Sequence, residues 1–125
     1  MTKRVLECLV YLIRAEVLMH SGGLDALCAW VKACGLRSAD PNSRPSEEEL
    51  SYAMQVACVF YVKRVACLQN SSALTVVLRR NGHPAEMIIG AQIVPAQFHA
   101  WVEVDSRVVN DKPYMLDIYQ VLERC

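Results

Sequence analysis

The residue texture of this chain changes once, at His83-Pro84, and that change restricts the folds open to it. Upstream, apolar residues recur every three or four positions; downstream they fall into short runs rich in β-formers, at residues 86–92, 98–104 and 107–110. Helices gathered in one part of a chain and strands in the other predict an α+β fold, with N-terminal helices followed by a small antiparallel sheet. No internal repeat or low-complexity segment interrupts this order.

Leu6, Leu9, Val10, Ile13, Val17 and Leu18 form the first helical stripe, which stops at Ser21-Gly22-Gly23. A second helix over residues 24–34 carries Leu24, Leu27, Cys28, Val31 and Cys34 on one face and is expected to pair with the first. Residues 37–45 are polar, contain two prolines and read as a surface loop. Ser46-Glu47-Glu48-Glu49 has the form of a capping box and opens a third helix running toward Arg64. Its glutamates read as a helix start rather than a metal cluster, since nothing supplies the other ligands. A fourth helix begins at Cys67, packs through Leu68, Ala73, Leu74, Val77 and Leu78, and closes on Arg79 and Arg80 with Gly82 beyond.

At 125 residues, 54% of them hydrophobic, the chain has material for one packed core and reads as a single domain, residues 1–125, with a helical part over 1–45. A formal charge of zero argues against the basic surface that nucleic acid or anionic lipid requires. Glu7, Arg14 and Glu16 interrupt the N-terminal apolar stretch and no small-residue cleavage site follows it, so a cytoplasmic protein without membrane contact is expected. The six cysteines include no C-x-x-C pair; no zinc site, other metal or cofactor is expected, and most thiols read as small buried hydrophobes. His20 and His83, at helix ends or turns, read as solvated.

Chemistry is carried by Cys67, His99 and Asp111, a thiol, an imidazole and a carboxylate able to act as nucleophile, base and orienter of the base. Cys67 stands at a helix start, where the dipole and free amides favour a thiolate. Strand alternation puts Phe98, Ala100, Val102 and Val104 on one face and His99, Trp101 and Glu103 on the other, so Trp101 and Glu103 either line the substrate cleft or, for Trp101, cover the triad. A plain two-residue turn at Asp105-Ser106 would send Asp111 to the wrong face, so a bulged or three-residue turn is expected, with Ser106 left-handed. The Cys67 amide is one oxyanion donor; Gln69, Asn70 and Gln97 are candidates for substrate or oxyanion contact. Taken singly, each residue is equally at home in packing or in a turn.

Four stretches together resemble one family: Lys63-Arg64-Val65-Ala66-Cys67-Leu68, Leu78-Arg79-Arg80-Asn81-Gly82-His83-Pro84-Ala85, Phe98-His99-Ala100-Trp101-Val102-Glu103-Val104 and Val108-Val109-Asn110-Asp111. The chain is similar to the transglutaminase-like, papain-like leader peptidases of lasso-peptide biosynthesis, in the form where the protease half of the B protein is a separate chain. The resemblance implies a catalytic core over residues 46–125 and a bacterial cysteine protease. Such an enzyme removes the leader of a ribosomally made precursor before a separate cyclase acts, with Cys67, His99 and Asp111 as its triad. It further implies a small pocket near Cys67 for a Thr next to last in the leader. The partners implied are the precursor peptide, a separate recognition-element protein and the cyclase. Asn70-Ser71 stands where the family often has Arg-Ser, and Ser106 where it has a turn Gly. Another transglutaminase-like acyl transferase and a non-catalytic precursor-binding module remain as alternatives.

Overall fold

The computed structural model describes residues 2–125. The first two expected helices form one helical rod, α1 (Thr2–Ala33), bent at Gly23, where φ is 66° and ψ is −149°. A side chain is strained at that φ, which accounts for the break at the glycine pair. Buried along α1 are Cys8, Leu12, Ala15, Leu27 and Val31. Leu6, Val10, Ile13 and Val17, four members of the expected stripe, instead face solvent. The helix has two apolar faces, and the one bearing the small Cys8 and Ala15 is turned inward. Beyond the bend, α1 meets its own first half through Trp30 and Tyr11, whose ring centroids lie 6.3 Å apart, and it also packs on the sheet and the central helix, where Val31 clusters with Val76, Met87, Ile89 and Ala100.

The next helix, α2 (Glu47–Phe60), starts at an N-cap where Ser46 Oγ accepts from Glu49 N at 3.1 Å. It stops short of Arg64 because Ala57 is its last buried residue and Tyr61 is already extended. Leu50, Ala53 and Met54 join Cys8, Leu12, Leu74, Val77 and Leu78 in the main core. At the centre lies α3 (Cys67–Arg80), whose residues Ser71, Ser72, Ala73, Leu74, Thr75, Val76, Val77 and Leu78 are buried all round the helix. A helix enclosed on all sides must satisfy its own hydroxyls. Ser72 donates to Leu68 O at 2.8 Å and Thr75 to Ser71 O at 2.8 Å.

Arg79, in the last turn of α3, ties the layers together. Its guanidinium donates to Ala85 O at 2.8 Å, to Cys125 O at 2.9 Å, and to Val31 O and Cys34 O at the end of α1. His83, expected in solvent, is buried, with Nε2 2.7 Å from Pro45 O. Folding the 37–45 loop back over the turn that follows α3 covers it, an arrangement also held by Arg44 donating to Gly82 O at 2.7 Å.

Four antiparallel strands follow, in the order β3 (Arg107–Val108), β2 (Gln97–Val104), β1 (Ala85–Gln92), β4 (Gln120–Arg124). A single turn of helix, α4 (Met115–Ile118), precedes β4. The sheet's inner face, with Ala85, Met87, Ile89, Ala100, Val102 and Val104, lies on the helices. Its outer face is covered as well: Ile88 and Trp101 cluster with Met115, Tyr119 and Val121. The third strand is two residues long, not four, and β4 is an edge strand whose sequence carries no apolar alternation. Among the described residues no helix is long and apolar enough to cross a membrane.

Candidate active site

Cys67 is the first residue of α3, after Ala66, which supplies no side-chain cap. The amides of the first helical turn therefore remain available at the thiol. His99 lies near the start of β2, paired with Gly90 of β1. Cys67 and His99 line one small cavity of about 120 Å³, together with Leu24, Leu68, Ile89, Phe98 and Ala100.

Asp111 meets His99 with Oδ2 2.5 Å from Nε2. Nδ1 is accordingly the ring nitrogen not engaged by Asp111. Oδ1 of Asp111 accepts the Lys112 amide at 2.8 Å, so both carboxylate oxygens have fixed partners. Each of the two side chains is about a quarter exposed, which leaves the pair reachable from solvent.

The route by which Asp111 arrives differs from the expected bulge. Asp105 and Ser106 both take left-handed φ, 51° and 66°, in a plain two-residue turn, and Val104 pairs directly with Arg107. That register, continued, would put Asp111 on the Ala100 face. Instead the ladder ends one step early. Val109 N donates to Val102 O at 2.9 Å, but the return bond from Val102 N, 2.8 Å long, goes to the side-chain oxygen of Asn110. The amide of Asn110 stands in for the Val109 carbonyl, and the released backbone turns across to His99.

The same Asn110 donates through Nδ2 to Ser71 Oγ at 3.3 Å, and Ser71 Oγ donates to Ala100 O at 3.1 Å. Ser71 is one helical turn after Cys67, Ala100 follows His99, and Asn110 precedes Asp111. One buried hydroxyl and one amide thus join the three segments that carry thiol, imidazole and carboxylate. Neither was singled out in the sequence, since a serine in a helix and an asparagine before a turn carry no distinctive spacing.

Behind the imidazole, Tyr119 stacks with its ring centroid 5.5 Å from that of His99, and Trp101 lies at 6.3 Å. Trp101 is wholly buried and does not line the cleft; its Nε1 donates to Glu103 Oε2 at 3.1 Å. Glu103 is likewise buried and also takes Arg124 at 3.3 Å. The face expected to be polar is closed by α4 and β4, which turns these two residues from cleft lining into support for His99. Gly90 makes the stack possible, because a Cβ there would fall 2.8 Å from Trp101 Cη2 and 2.9 Å from Tyr119 Cβ. A glycine within an apolar strand was the available signal for such a close approach.

Gln69 and Asn70 lie in the first turn of α3 but are not among the residues lining the Cys67 cavity; their amide oxygens are buried without a hydrogen-bond partner. Gln97 is exposed and accepts from Gln92 at 3.1 Å. Among the other thiols, burial pushes Cys8 up to about 12. Burial, aided by a hydrogen bond with Cys28, does the same to Cys125, and burial also raises Cys58. These thiols stay protonated at neutral pH and are poor nucleophiles.

A family model described as the transglutaminase-like superfamily matches residues 9–124, and the chain belongs to that superfamily. It is also similar to the microcin J25-processing protein McjB of Escherichia coli, 39% identical over 56 residues. That match covers 45% of this chain and 27% of the relative, so the chain matches well under two thirds of the relative's length. No solved structure matches.

Proposed function

We propose that this transglutaminase-like chain is a cysteine peptidase that removes the leader from a ribosomally made lasso precursor peptide. The observation that carries the reading is the pairing of a helix-start thiol with a carboxylate-held imidazole around one apolar cavity. Similarity to a microcin-processing protein supplies the substrate class.

In this mechanism Cys67 Sγ attacks the carbonyl carbon of the leader's last residue while His99 Nδ1 takes the thiol proton. The oxyanion is met by the Cys67 amide, at the positive end of α3. Collapse of the tetrahedral intermediate breaks the peptide C–N bond, and His99 returns its proton to the leaving amine of the core peptide. A water molecule then attacks the leader thioester, giving up its proton to His99, and the freed leader acid and Cys67 thiol complete the cycle. Asp111 fixes the imidazole tautomer throughout and stabilises the imidazolium. The small cavity suits a short side chain such as the Thr expected next to last in the leader. A separate recognition-element protein presents the leader, and the cyclase takes up the product.

The test is mass spectrometry of precursor peptide incubated with wild type and Cys67→Ala, with and without the recognition-element protein. Two fragments whose masses add to precursor plus one water, absent with Cys67→Ala, are expected. An amide-linked adduct in place of hydrolysis would assign acyl transfer instead, and intact precursor in every tube despite binding would assign a binding module.

A further inference from the structure

A second hollow adjoins the Cys67 cavity and shares three of its walls. It has a volume of about 400 Å³ and is lined by Cys28, Ala29 and Leu122 together with the shared Leu24, Ile89 and Phe98, with Asp25, Lys32 and Glu123 as its charged members. Phe98 is 73% exposed, Leu122 55% and Leu24 43%, so large apolar surface is held open to solvent beside the thiol. Four elements build it: α1 beyond the Gly23 bend, β1 through Ile89, the start of β2, and β4. Its far end is closed by the Lys32–Glu123 ion pair, 2.7 Å long, which ties α1 to β4.

We propose that this hollow is a substrate subsite for one large aliphatic or aromatic side chain of the leader, two positions before the residue held in the small cavity. The inference rests on the peptidase reading. Continuity with the Cys67 cavity identifies the occupant as part of the same peptide. In an extended chain, side chains on one side recur every second residue, about 7 Å apart, so adjoining hollows receive residues two apart. The volumes differ by roughly threefold, which assigns the short side chain to the inner hollow and the large one to the outer. The leader is the acyl half, covalently held on Cys67 until water arrives, so its contacts serve both chemical steps. Side-chain pockets of this kind supply specificity where a peptide lies extended.

Two acetylated peptidyl vinyl sulfones test this, Ac-Leu-Ala-Thr-Gly and Ac-Ala-Ala-Thr-Gly, with the rate of Cys67 adduct formation read by intact mass. Wild type is expected to label at least tenfold faster with the Leu probe. That preference, read as the ratio of the two probes' rates on each protein, should fall below threefold in Leu122→Asp and in Ala29→Phe, both at exposed positions. Equal rates for the two probes on wild type, or a preference undiminished in both variants, overturns the subsite with the peptidase reading intact. No Cys67 adduct from either probe, in protein that iodoacetamide still alkylates, overturns the peptidase reading and the subsite with it.

Discussion

Replacing Asn110 by Ala removes the one group that ends the β2–β3 ladder early. The Val102 amide, on a residue with no exposed surface, loses the acceptor it holds at 2.8 Å. A buried N–H left unpaired costs about 1–3 kcal/mol. The 3.3 Å bond to Ser71 adds about 0.5 kcal/mol at that length, for a total of about 1.5–3.5 kcal/mol. Asn110→Asp keeps the oxygen that Val102 needs and loses only the donor to Ser71, so it should cost about 1 kcal/mol or less. Urea denaturation followed by circular dichroism reads both, with m unchanged. The same variants report on the site, because Asp111 reaches His99 only through this departure from the ladder. Asn110→Ala should slow Cys67 alkylation more than Asn110→Asp does. Equal stability losses in the two variants, or an Asn110→Ala protein within 0.5 kcal/mol of wild type, would refute the carbonyl-mimic role.

Gly90→Ala drives a methyl group into the wholly buried Trp101 and into Tyr119, and should destabilise by about 1–3 kcal/mol with no gain from reduced chain entropy; a neutral or raised melting temperature would contradict the stack. Arg79→Leu removes the guanidinium from four main-chain carbonyls, of which Val31 O keeps the Cys34 amide and Cys125 O keeps the Met87 amide, and should cost about 2–4 kcal/mol in a urea titration, with Arg79→Lys recovering less than half of it. The Cys8 thiol, raised by burial from the ordinary 9.0 to about 12, gives a pH signature. The unfolded chain ionises first, so this contribution is complete below pH 9 and is lost as pH rises from 9 toward 12. The urea midpoint should thus fall more steeply between pH 8 and 10.5 in wild type than in Cys8→Ala, and parallel curves would remove Cys8 as the source.

The order of helices and strands was legible because periodicity changes sharply at Pro84, and α3 because Leu68, Ala73, Leu74, Val77 and Leu78 recur at helical spacing ahead of Arg79, Arg80 and Gly82. The buried face of α1 was not. Leu6, Val10, Ile13 and Val17 make the more hydrophobic stripe, yet close approach to α3 favours the smaller Cys8 and Ala15. Strand β4 escaped notice because an edge strand is held by backbone bonds, as where Cys125 and Met87 exchange both of theirs, and Gln120, Glu123 and Arg124 need show no alternation. Parity arithmetic at the Asp105-Ser106 turn correctly found that a continued ladder misplaces Asp111. The remedy was a side-chain amide replacing a backbone carbonyl, a substitution that pairing rules do not contain. Glu103 is buried where the cleft was expected, and Trp101 takes the packing alternative left open for it, because α4 and β4 cover that face.

The central claim is that Cys67, His99 and Asp111 act as one activated nucleophile, and the rate of Cys67 carboxamidomethylation by iodoacetamide at pH 7 tests it without substrate or partner. Site-resolved mass spectrometry should find Cys67 alkylated well ahead of Cys8 and Cys125, at least tenfold slower in His99→Ala, and slowed to a lesser degree in Asp111→Asn. A Cys67 rate equal in wild type and His99→Ala, both folded, would contradict the account.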